Sequence, residues 1–152
     1  MRQETKQCME RVGYQFRNPA LLENALTHSS YANEGHHALE SNERLEFLGD
    51  SVLGFITAGY LFEKETGPEG MLTKLRAALV CEKALCSYAQ LLGLGSFLLL
   101  GRGEQRSGGA ERPSILADAF EAVIAAIYLD GGLEPVRAFL MPYLEREASN
   151  QR

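Results

Sequence analysis

Several features that would assign the chain quickly are missing. The longest apolar stretch, around Leu91 to Leu100, is broken by Gly93, Gly95 and Ser96 and is too short to cross a bilayer. Its Leu98–Leu100 run reads as core, and no membrane is expected as a partner. The opening residues, MRQETKQCME, lack the apolar core of a signal peptide. The three cysteines (Cys8, Cys81, Cys86) show no CxxC or Cys/His ligand spacing, which excludes the common zinc modules. They read as free thiols of a reducing compartment, and the expected location is cytoplasmic. Only three histidines occur, His28, His36 and His37, and they read as turn or surface residues. Ser29-Ser30 has no nucleophile-elbow context. Positive charge is also scarce: 15 Lys and Arg stand against 20 Asp and Glu, a net charge of −5. Taken alone, that argues against nucleic acid, because binding phosphates requires clustered cations.

What is present is a helical pattern in 152 residues, a length that suits one domain with a sizeable core. Asn18-Pro19 predicts an N-cap and first-turn proline opening a helix to Leu26. Asn42 predicts the cap of a long helix to about Lys64, with Leu45, Leu48, Val52, Phe55, Ile56 and Tyr60 at helical spacing. Further helices are expected over 71–80, 82–92, 115–129 and 133–147, with a kink or break at Pro142. The segment 101–113, GRGEQRSGGAERP, reads as a functional loop. No useful β-alternation, internal repeat or low-complexity stretch appears, so the fold class is all-α. The charge is unevenly spread. Residues 72–112 carry Lys74, Arg76, Lys83, Arg102, Arg106 and Arg112 against Glu82, Glu104 and Glu111, a basic middle between acidic ends.

The acidic residues carry the chemistry. Glu43, Glu46 and Asp50 lie within roughly 60° of one another around the long helix. They sit among Leu45, Phe47, Leu48 and Val52, and Gly49 precedes Asp50. Glycine inside a helix costs about 1 kcal/mol relative to alanine, which points to a close approach at that position. Asp118 and Glu121 lie one turn apart in the apolar stretch SILADAFEAVIAAIYLD, with no Lys or Arg within a turn. Buried carboxylates are seldom left uncompensated. Either a salt-bridge network or a divalent cation would answer that need, and all-oxygen ligands suit Mg²⁺ or Mn²⁺. Di-iron bundles place a His three residues after a ligand Glu; here those positions hold Glu46, Gly49 and Ile124. Mg²⁺-assisted phosphoryl chemistry fits better.

Beyond these readings, NERLEFLGDSVL (42–53) closely resembles the hallmark stretch of bacterial ribonuclease III. ALTHSSYANE (25–34), PEGMLTKLRA (68–77) and SILADAFEAVIAAIYLDGG (114–132) match further blocks in the same order. The resemblance implies a single all-helical nuclease domain over 1–152, homodimeric, without the double-stranded-RNA-binding domain that ordinarily follows. It implies that Glu46, Asp50, Asp118 and Glu121 bind the catalytic Mg²⁺ (or Mn²⁺), with Glu43 and Glu69 supporting the acidic cleft. It also implies that Phe47 inserts into a pocket of the partner, although an aromatic at that position also suits the core.

The implied activity is Mg²⁺-dependent hydrolysis of double-stranded RNA in rRNA and mRNA maturation, leaving 5′-phosphate and 3′-hydroxyl ends with short 3′ overhangs. A two-fold axis would offer one site to each strand. Lys74, Arg76, Arg102 and Arg106 would meet the phosphates, and without the second domain RNA binding is expected to be weak and salt-sensitive. The alternative is a non-catalytic dimer of the same fold serving as an RNA-bound structural subunit, which would be expected to lose carboxylates that this chain keeps.

Overall fold

The computed structural model describes residues 1–35 and 39–152; the expected turn at His36 and His37 lies outside the described residues. Among the described residues the chain is all-α. The helices are α1 (Gln3–Val12), α2 (Pro19–Ala25), α3 (Ser29–Ala32), α4 (Glu43–Lys64), α5 (Glu69–Val80), α6 (Glu82–Leu92), α7 (Arg102–Arg106), α8 (Pro113–Gly131) and α9 (Leu133–Asn150). An isolated parallel bridge pairs Thr27 with Leu99.

α8 is the central helix, and its composition explains why. Ala119, Ala122, Ala125 and Ala126 let neighbours approach closely, while Phe120, Val123, Ile124 and Ile127 fill the space between them. Each such large side chain contributes about 1.5–3 kcal/mol on burial. α2, α4, α6 and α9 pack around it. Phe120 stacks with Phe139 of α9 at 5.4 Å and lies 5.6 Å from Tyr88 of α6, which joins those helices through aromatic contacts. At the far end of α8, Asp130 accepts the Tyr14 hydroxyl (2.7 Å) and the backbone N–H groups of Arg17 (2.8 Å) and Asn18 (2.9 Å). Although burial works against it, these bonds hold its carboxyl below the usual carboxylate range. The link between α1 and α2 is thereby fastened to the core.

Several sequence expectations need correction. α2 opens as predicted, with Asn18 accepting the Ala20 N–H at 3.2 Å. Asn42 marks the start of α4 but does not cap it. Its buried amide donates to the Ala25 carbonyl (2.9 Å) and its N–H to that of Thr27 (2.8 Å), so tertiary bonding outcompetes the cap. Segment 101–113 is not a plain loop: it holds α7 and a 3₁₀ turn over Gly109–Glu111, fastened by an Arg112–Glu104 ion pair of 2.8 Å. α9 runs through Pro142 without a break. Ala138 and Pro142 are both exposed, so water can satisfy the carbonyl that proline leaves unpaired. Phe55 is 62% exposed and does not join the core.

α4 is long and apolar enough to cross a membrane by length and composition. Here it packs along α8 and α5, with Leu45, Val52, Leu53, Ile56, Tyr60 and Leu61 in the core.

Candidate metal centre

The site lies where α4 crosses α8, at Gly49. A Cβ on Gly49 would overlap the Glu121 carbonyl oxygen and come within 2.6 Å of its carbon. The missing side chain is what lets the two backbones touch, the close approach expected from the sequence. With the helices this near, the carboxylates one turn away on each must converge. One oxygen from each of Glu46, Asp118 and Glu121 lies within 4.8 Å of the others.

Glu46 neighbours Asp118, and Asp50, outside that group of three, neighbours Glu121, each pair being close enough to share a proton when one carboxyl is protonated. Glu121 is only 6% exposed. Burial, followed by the bond to and charge of Asp50 and then the charges of Glu46 and Asp118, pushes its carboxyl up to about 9. Burial also raises Glu46, helped by Asp118, Asp50 and Glu43. Asp118 is raised by burial too, while its bond to Glu46 works in the opposite direction. Among the described residues, no ion pair with Lys or Arg engages any of the four. The salt-bridge network that the sequence left open is thus absent among them. A cluster of one sign around a buried carboxyl, with no Lys or Arg paired to it among the described residues, is eased by protons or by a metal ion. Its all-oxygen donor set suits a hard divalent cation.

The remaining predicted residues are less uniform. Glu43 is exposed and accepts the Ser41 hydroxyl at 2.9 Å, within electrostatic reach of Glu46. Glu69 is not brought to the cluster within this chain. It accepts the Thr73 hydroxyl at 3.0 Å on α5 and borders a recess with Ala58, Phe62 and Arg76. Phe47 is 79% exposed, which excludes the core reading. It borders an open recess with Leu21, Leu45, Leu48 and Leu129, and Phe55 and Phe62 are exposed on the same helix. Lys74 and Arg76 on α5 and Arg102 and Arg106 on α7 are all exposed. Sequence reasoning missed two neighbours of Asp118: Glu82, whose charge raises its carboxyl, and His28, whose charge lowers it. The available signal for His28 was the Thr-His-Ser-Ser turn, in which a side chain can cap the backbone two residues on.

Two crossing helices of an all-helical domain thus bring acidic side chains together at a glycine contact, and the oxygen donors they gather suit a hard divalent cation. A sequence model of the Ribonuclease-III-like family matches residues 18–147, and the chain belongs to that family. It is 53% identical over 147 residues to Ribonuclease 3 of Symbiobacterium thermophilum, covering 95% of this chain and 62% of that protein. It is 55% identical over 137 residues to Ribonuclease 3 of Anoxybacillus flavithermus, covering 89% of this chain and 58% of that protein. The chain thus spans about three-fifths of the length of these relatives. In structure it resembles the nuclease domain of ribonuclease III from Campylobacter jejuni. Its TM-score to that domain is 0.86 at 43% identity, covering 93% of this chain and 96% of that one. The solved domain was described for flexibility in the region involved in its dimer formation.

Proposed function

We propose that the chain is the catalytic portion of a divalent-metal-dependent endoribonuclease that cuts double-stranded RNA. The products would carry 5′-phosphate and 3′-hydroxyl ends with short 3′ overhangs, and the setting would be rRNA and mRNA maturation in the cytoplasm. The observation that carries this reading is the convergence of Glu46, Asp118 and Glu121, one oxygen of each within 4.8 Å of the others, around a Glu121 that is only 6% exposed. That is an uncompensated site of the kind a cation fills.

Glu46, Asp118 and Glu121 are the residues that would hold Mg²⁺, or Mn²⁺ in its place. Such an ion lowers the pKa of a bound water and offsets charge on a phosphate. Asp50, whose charge acts on Glu121, would offer a further carboxylate oxygen to the ion. Glu43 adds negative potential at the mouth, which favours cation entry. Double-stranded RNA is read by its shape and phosphates, for which the exposed basic residues of α5 and α7 are suited. A homodimer joined through the exposed aromatic residues of α4, with Phe47 seated in the partner, would give each strand its own site.

The test is incubation of the purified protein with long duplex RNA, with and without Mg²⁺, alongside Glu121→Ala. Metal-dependent fragments that disappear in the variant support the reading. Intact duplex with bound protein at low salt overturns it in favour of a non-catalytic RNA-binding subunit.

A further inference from the structure

The helix that carries two of the exposed arginines is held by side chains distant in the sequence. α7 opens at Gly101, whose N–H donates to the Ser30 hydroxyl oxygen at 2.8 Å. The next N–H, that of Arg102, donates to a Glu34 carboxylate oxygen at 2.7 Å. Gly101 is buried, and a Cβ on it would meet the Ser30 carbonyl oxygen at 2.7 Å and the same Glu34 oxygen at 2.9 Å. The missing side chain is what lets the two segments close on each other. Further along, Glu104 pairs with Arg112 at 2.8 Å, at the entry to α8. α7 is thus fastened at its start and in its middle, while the side chains of Arg102 and Arg106 stay exposed.

The holding side chains are fixed in turn. The Ser30 hydroxyl oxygen lies 2.8 Å from His28 Nδ1, and the His28 N–H donates to the Leu99 carbonyl at 3.0 Å. The Thr27 carbonyl accepts the N–H of Asn42 at 2.8 Å, just ahead of α4. The segment 27–34 therefore ties α7 to the start of the helix that bears Glu46 and Asp50. Glu34 is the residue that an RNA-facing surface should not keep. It is exposed, and its carboxylate sits at the start of the helix that carries Arg102 and Arg106. A negative charge there repels phosphates and offsets the cations beside it. Its bond to the Arg102 N–H supplies the reason for its presence.

Resting on the reading that the exposed cations of α7 meet duplex RNA, we infer that Ser30 and Glu34 are positioning residues that present Arg102 and Arg106 to the phosphates.

The sign of the charge effect makes this testable. Glu34→Ala removes both the acceptor and the charge, whereas Glu34→Gln removes the charge and keeps an acceptor oxygen. If Glu34 acted through its charge alone, both variants would bind RNA more tightly than the wild type. Glu34→Ala should instead bind about 3–10-fold more weakly, with a salt slope lower by about one unit. Glu34→Gln should recover the wild-type affinity or exceed it. Ser30→Ala, which removes an acceptor and no charge, should weaken binding as Glu34→Ala does. Binding of duplex RNA is read by fluorescence anisotropy in chelator at low salt, and cleavage in Mg²⁺ by kcat and KM. In Glu34→Ala, KM should rise with kcat little changed, the signature of lost binding. In the free protein, amide hydrogen exchange over 101–107 should quicken in both alanine variants. The melting temperature of Glu34→Ala should stay within about 2 °C of the wild type. A Glu34→Ala protein that binds RNA as tightly as the wild type, or more tightly, overturns the inference. So does a Glu34→Gln protein as weak as Glu34→Ala, or weaker binding without quicker exchange over 101–107. A wild type that binds duplex RNA but does not cut it defeats the nuclease reading alone, since the binding series still decides these two roles. A wild type that binds no duplex RNA defeats both.

Discussion

Gly49 of α4 touches the backbone of Glu121 on α8, and that contact sets the spacing of the acidic cluster. The obstacle to any side chain at position 49 is main chain, with the Glu121 carbonyl carbon at 2.6 Å, so no rotamer change relieves it. Replacing glycine by alanine inside a helix ordinarily stabilises by about 1 kcal/mol. Gly49→Ala should reverse that sign, destabilising by about 1–3 kcal/mol as overpacking pushes α4 from α8. It should also abolish metal-dependent cleavage. Thermal melts and a cleavage assay check both, and an alanine variant as stable and active as the wild type refutes the crossing as the determinant of the site.

In the metal-free protein Glu121 is pushed up to about 9, against an ordinary value of 4.5. Between those values the folded protein keeps a proton that the unfolded chain has released, so the native state binds more protons and its stability falls as pH rises. Glu121→Gln removes the titration while keeping the shape. In chelator, the melting temperature of the variant minus that of the wild type should therefore grow from about pH 5 towards pH 9 and then level off. Mg²⁺ should raise the wild-type melting temperature and leave the variant little changed. A pH-independent difference between the two refutes the raised carboxyl.

The helical plan and the glycine contact were legible in the sequence because both rest on local rules. The Asn18-Pro19 start, the span of α4 and the unexplained glycine before Asp50 all follow from propensity and spacing. α1 was not legible. Its inward residues are Thr5, Cys8, Met9 and Val12, an apolar period of only three side chains opened by a buried threonine. Asn42 misled because a buried amide found tertiary partners more favourable than a cap. The lack of Lys and Arg beside Asp118 was visible only within a turn of sequence, and among the described residues the fold adds no Lys or Arg ion pair to it. The exposure of Phe47 could be resolved only by the packing of α4.

Because Phe47 is 79% exposed, it contributes little to the fold of a single chain. Phe47→Glu should therefore retain the helical circular-dichroism spectrum. Sedimentation should show a dimer for the wild type and a monomer for the variant, since a charge cannot be buried unpaired in an apolar socket. Cleavage of both strands at one position should fall more than nicking of one. A Phe47→Glu protein that remains dimeric places the interface elsewhere.

Cations that would meet RNA are distinct from those that hold the protein together. Arg112 is engaged with Glu104 at 2.8 Å and secures α7. Among the described residues, no ion pair engages Lys74, Arg76, Arg102 or Arg106. Arg102 and Arg106 lie one turn apart on α7, so one duplex can reach both. Lys74 and Arg76 lie about 200° apart around α5, so one duplex face meets only one of them. Each phosphate contact contributes about one unit to the slope of log affinity against log salt. Arg102→Ala and Arg106→Ala should each reduce that slope by about one unit, and only one of Lys74→Ala and Arg76→Ala should do so. Arg112→Ala should lower the melting temperature and leave the slope unchanged, because its charge is already spent on Glu104. Equal slopes for all five variants and the wild type would show that the duplex does not run across α5 and α7.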